Sequence, residues 1–119
     1  MAVIRNVALV LNQAGATEQT ITALGLVERL VERGVAVRVF AHDEAAVLSA
    51  GSHPVARAIE GLIRRGIHEG PVSWIVEADA SAALGVGADQ APGVLEGDHA
   101  DLWGIVGAAD LVLSVGVGA

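Results

Sequence analysis

The chain has 119 residues, 53% of them hydrophobic, and carries 14 acidic side chains against seven arginines and no lysine, for a formal net charge of -7. This length suits one domain over residues 1–119, and the apolar share excludes a disordered segment. The acidic balance argues against nucleic acid as a partner, and no apolar run reaches the ~18 residues that a membrane span requires.

In chain order, a strand is expected over residues 3–11, because Val7 to Leu11 is continuously apolar, as in a parallel strand covered on both faces. Asn12 to Ala16 reads as a polar loop, and Thr17 is placed to cap a helix running to Arg33. Leu24, Val27, Leu30 and Val31 share one side of that helix, Thr22, Arg29, Glu32 and Arg33 the other, and Gly34 ends it. Residues 35–41 form a second strand. Arg38 there faces away from Val37 and Val39, which suggests a position nearer a sheet edge than the first strand.

A short apolar turn follows and stops at Gly51. Pro54 then suits the first position of a helix capped by Ser52 or His53, with Val55, Ile59 and Leu62 as its apolar stripe and Glu60 to Arg64 as an i,i+4 pair. That helix is expected to end at Arg65-Gly66. Residues 72–76 are a third strand, followed at once by Glu77 and a small-residue helical turn that stops at Gly85. Residues 85–97 read as loop, with a brief strand at 94–95. Asp98 starts a last helix, with Asp101 completing a capping box, and residues 111–115 are a final apolar strand before a Gly-rich tail. The alternation predicts an α/β fold, a three-layer αβα structure around a mostly parallel five-stranded sheet.

Several chemistries lack their residues. With no cysteine there is no disulfide, thiolate metal site or thiol nucleophile. His42, His53, His68 and His99 form no i,i+4 pair, so no metal is expected. No serine lies in G-x-S-x-G and no P-loop or dinucleotide glycine pattern is present. The loop Asn12 to Thr17 is a poor version of an FMN phosphate loop, and no cofactor is expected. No export signal is visible, which makes the expected location cytoplasmic.

Four stretches carry a resemblance to a known family: V-A-L-V-L-N at the start, the R-G-I link before the third strand, V-E-A-D-A-S-A-A-L-G-V, and L-E-G-D-H-A-D-L-W-G-I-V-G-A-A-D-L-V-L-S-V. Together they resemble the small DsrE/DsrF-like proteins of sulfur metabolism over nearly the whole chain. The resemblance implies a flavodoxin-like sheet and a homo-oligomer, a trimer or a hexamer. Sulfur-carrying members place a cysteine just after the third strand, upstream of an Arg-Gly pair. Here Gly85 stands at that glycine, Leu84 replaces the arginine and Glu77 stands at the cysteine position. A carboxylate cannot carry a persulfide, so the family's sulfurtransferase activity is not expected.

In an open parallel sheet, ligands collect where strands end. The loops after the first three strands bring Asn12, Gln13, His42, Asp43 and Glu77 to that edge. They are the expected ligand-binding residues, with His42 as the donor compensating Glu77. The expected function is a small-molecule-binding or assembly module. The alternatives are an acid–base enzyme using Glu77 with His42 or Asp43, or a structural subunit of a hetero-oligomer. Trp74 and Trp103 are expected in the core or at a subunit contact.

Overall fold

The strands of the sheet are runs of three to six residues, mostly apolar in all but the shortest, each bounded by a loop or a helix. A computed structural model of the chain describes residues 3–13, 18–69 and 72–115. The elements are β1 (Asn6–Leu11), α1 (Glu18–Glu32), β2 (Ala36–Ala41), α2 (Pro54–Glu69), β3 (Val72–Glu77), α3 (Ala78–Ala83), β4 (Leu95–Gly97), α4 (His99–Ala108) and β5 (Leu111–Val115). Single turns of 3-10 helix cover Asp43–Val47 and Gly87–Asp89. The sheet runs β4-β3-β2-β1-β5, and every neighbouring pair is parallel.

The two faces are covered unequally. Ala23, Val27 and Val31 of α1 and Ile59 and Leu62 of α2 pack on Leu9, Leu11, Val37, Val39, Trp74 and Val76. The opposite face holds a smaller cluster, Ile105 and Leu102 of α4 over Ala8, Phe40 and Ile75. This is the expected αβα layering. One ten-residue helix is about 15 Å long and cannot cover five strands.

That shortage explains one correction. β2 is the central strand, not one nearer the edge than β1. Arg38 is exposed because α4 leaves that part of the face open, so its alternation reports incomplete cover and not edge position. A second correction concerns β1, which begins at Asn6. The Asp110 carboxylate accepts the backbone N–H groups of Arg5 and Asn6 at 2.8 and 3.0 Å, and Val3 and Ile4 lie exposed before the ladder. A third concerns α2, which continues through Gly66 to Glu69. A glycine inside a helix costs only ~1 kcal/mol against alanine, less than the packing its apolar stripe supplies.

Other local expectations hold. Gly34 closes α1 at a φ of 76°, and His53 Nδ1 accepts the Ala56 N–H at the start of α2. Arg64 donates to Glu60. The brief strand expected at 94–95 is β4, one residue later. Asp98 and Asp101 form the capping box of α4, each carboxylate accepting the other residue's N–H. The cap assigned to Thr17, the loop at 14–16 and the tail at 116–119 lie outside the described residues.

Both caps bear on acid stability. Backbone donors at Arg5 and Asn6 hold the Asp110 carboxyl below its ordinary value of 3.8, and the Asp101 backbone N–H does the same for Asp98. Depressed carboxyls stabilise the fold above their unfolded value. That contribution is lost as pH falls from about 3.8 through the folded values below it. The urea midpoint is therefore expected to fall steeply only below that value. In Asp110→Asn the midpoint should be lower at neutral pH and its acid dependence shallower; an unchanged acid limb would refute the assignment.

Candidate functional site

The site is built where β1, β2, β3 and β4 end. In register, Leu11 pairs with Ala41 and Ala41 with Val76. The His42 N–H donates to the Leu11 carbonyl at 2.9 Å, and the Asn12 N–H to that of Val115 at 3.3 Å, so the ladder runs one residue beyond the strands. Asn12, His42 and Glu77 therefore stand at one level of three adjacent strands. At about 4.8 Å per strand, some 10 Å of backbone separates the outer two.

Each side chain has a distinct setting. Glu77 leaves only 14% of its side chain exposed, and its Oε2 lies 2.9 Å from Nε2 of His99, which is 68% exposed. Glu77 is the residue before α3 but its carboxylate does not cap that helix, which leaves it free to reach across to α4. His42 Nδ1 lies 2.9 Å from Oδ2 of Asp43, and its ring leans on Phe40 at 6.3 Å between centroids. Asp43 itself is exposed and is held at a φ of 51°. Aspartate tolerates this left-handed region better than most residues. Asn12 Oδ1 is buried with no hydrogen-bond partner among the described residues. Gln13 is half-buried.

The five expected residues thus share one edge, but their pairing differs from expectation. The donor facing Glu77 is His99, not His42, which is held by Asp43. His99 was missed because β4 carries only three residues and its place beside β3 is a tertiary result. The usable sequence signal was that His99 is the first residue of the helix whose capping box the sequence shows; that Gly97 pairs with Glu77 is known only from the sheet.

A second polar group supports the site from behind. Ser49 Oγ donates to Gln90 Oε1 at 2.6 Å, while Gln90 Nε2 donates to the Ala46 carbonyl at 2.8 Å and to Ser81 Oγ at 3.3 Å. Ser49 and Ser81 are buried. This network ties the turn after β2 to α3 and so fixes the junction that carries Glu77.

Chemically, the edge offers acceptors: the Glu77 carboxylate, Asn12 Oδ1, and the imidazole nitrogens not engaged by Glu77 and Asp43. A carboxylate-backed imidazole can also move a proton. Asp43, Glu44 and Asp79 surround it with negative charge, and among the described residues no group of three or more His, Asp or Glu could hold a metal.

Searches against family models and curated protein sequences returned no match for the chain. Among solved structures, the crystal structure of the YchN protein from E. coli superposes with a TM-score of 0.74 at 17% identity, covering 94% of this chain and 100% of that one. The chain has a DsrE-like fold. That likeness places the β3–α3 junction in a flavodoxin-like αβα frame, and at this identity it speaks to fold alone. No described helix is long and apolar enough to cross a membrane.

Proposed function

We propose that this chain is a cytoplasmic, cysteine-free DsrE-like protein without sulfurtransferase activity. It binds a small molecule at the carboxyl edge of the sheet and works as a homo-oligomer, a trimer or a hexamer. The observation that carries the binding reading is the buried Asn12 Oδ1, without a partner among the described residues, on the same sheet edge as the Glu77–His99 pair and two strands from it. A buried acceptor left empty costs about 1–3 kcal/mol, which a ligand donor would recover. An edge of acceptors under acidic neighbours selects ligands that bring donors, such as amines and polyols, and rejects phosphates.

Thermal unfolding with a panel of small amines and polyols tests this reading. A ligand at 100-fold excess over its dissociation constant stabilises by about 2.7 kcal/mol, and that gain should vanish in Glu77→Gln and shrink in Asn12→Ala. The reading fails if no compound in the panel shifts the wild-type transition, or if Glu77→Gln responds as the wild type does.

The Glu77–His99 contact favours one second reading, an acid–base enzyme. There His99 moves the proton and Glu77 orients its ring, in place of His42 or Asp43 as partner. Under that reading Glu77→Gln and His99→Gln keep ligand binding and lose turnover.

A further inference from the structure

The two edges of the sheet are protected very differently. β4 is three residues long, carries the exposed Glu96 and follows Pro92. Short length, charge and proline are the usual defences of a free edge. β5 has none of them. Its five residues, Leu111 to Val115, include no charge and no proline, and among the described residues no strand pairs with its outer side. Val112 is 43% exposed and Leu111 39%. On one face Leu113 and Val115 continue into a crevice of about 500 Å³ with an apolar wall of Leu26, Ala23 and Leu9 and a polar end formed by Glu18, Gln19 and Thr22 of α1.

The direction of its backbone groups can be read from one bond. The Val115 carbonyl accepts the Asn12 N–H and so faces β1. Alternation then turns the groups of Leu113 and Leu111 inward and those of Val112 and Ser114 out to the free edge. A two-fold axis through Leu113 would set Val112 opposite Ser114 of a second copy, and Ser114 opposite its Val112. Those are the outward-facing residues, and in an antiparallel ladder each such pair exchanges two hydrogen bonds. Leu113 would meet itself at the narrow pair. Leu111 would face Val115 on one side of the sheet, an apolar match, and the Val112–Ser114 pairs would lie on the other.

We infer that β5 is a self-pairing edge: two copies of this chain join antiparallel through β5 into one continuous ten-stranded sheet. Charge also favours a second copy here. A chain with a net charge of -7 repels its own kind, and β5 offers a strip where no acidic side chains oppose each other. The strand alone is too narrow for the roughly 800 Å² per partner of a stable contact, so the apolar wall of the crevice, Leu26 and Ala23, belongs to the interface, with Glu18 at its margin. The contact is isologous and implies an even number of subunits, so of the two assemblies proposed above it selects the hexamer, two trimers joined through β5, and excludes a bare trimer, independently of what the Glu77 edge binds.

Light scattering and sedimentation of the full chain at micromolar concentration test it, alongside circular dichroism. Ser114→Pro removes one outward donor; a proline whose N–H would have faced solvent is tolerated at a sheet edge, so the fold should survive. Val112→Lys places a charge at the same contact and guards against a folding failure of the first variant. The wild type should be even-numbered, and both variants should have half its mass with an unchanged far-ultraviolet spectrum. A monomeric or odd-numbered wild type, or a folded variant with the wild-type mass, overturns the inference.

Discussion

Replacing Trp74 by alanine is expected to lower the free energy of unfolding by about 3–5 kcal/mol, the largest effect of any single substitution considered. Trp74 is fully buried in β3, with Val39 as its register partner on β2, and it belongs to the larger core under α1 and α2. Removing the indole leaves a cavity in the layer that joins the sheet to both helices. A domain holds about 5–15 kcal/mol in total, so the loss is a large fraction of it. The indole N–H is buried without a partner among the described residues, so Trp74→Phe removes an unsatisfied donor along with some volume and should cost much less than the alanine variant. Urea unfolding checks both, with the slope held constant as evidence that only stability changed. Equal losses in the two variants would mean that volume is not what Trp74 contributes.

Gly97→Ala is expected to be the second most damaging change, and it reaches the site. A Cβ at Gly97 would lie 2.8 Å from Asp101 Oδ2 and 2.8 Å from Ile75 Cγ2, with Asp101 Cβ at 3.3 Å. Asp101 Oδ2 is the atom that accepts the Asp98 N–H at 2.9 Å and closes the capping box. The added methyl must therefore move Ile75 in the sheet or the first turn of α4. Overpacking of this kind costs about 1–3 kcal/mol. His99 sits in that turn, so the variant should also weaken the Glu77–His99 contact and any ligand response that depends on it. Gly104→Ala is the matching control: nothing lies within 4 Å of its Cβ, and helix propensity favours alanine by about 0.8–1.0 kcal/mol. A Gly97→Ala protein as stable as Gly104→Ala would contradict the close approach of β4 and α4.

Much of the edge was legible because parallel strands deliver their loops to one side. Asn12, His42 and Glu77 follow three apolar runs in the sequence, and the ladder brings them to one level. The partners of those residues were not legible. His42 was expected to serve Glu77, but Asp43 is its immediate neighbour and takes its Nδ1, while β4 places His99 against Glu77. Ser49, Ser81 and Gln90 gave no sequence signal either, since their network closes across two turns and a helix.

By itself, the sequence determined the alternation of strands and helices, the capping box at Asp98 and Asp101, a cap at Ser52 or His53 and the absence of thiol chemistry. These depend on composition or on residues within four positions of each other, where periodicity and spacing act directly. The tertiary structure decided that β2 is central, that β5 returns beside β1, that Trp74 is enclosed while Trp103 is 70% exposed, and that His99 faces Glu77. Each of these depends on strand order and on how much of a face one short helix can cover. An apolar run reads the same whether it is destined for the middle of a sheet or its edge, and only assembly with its neighbours separates the two.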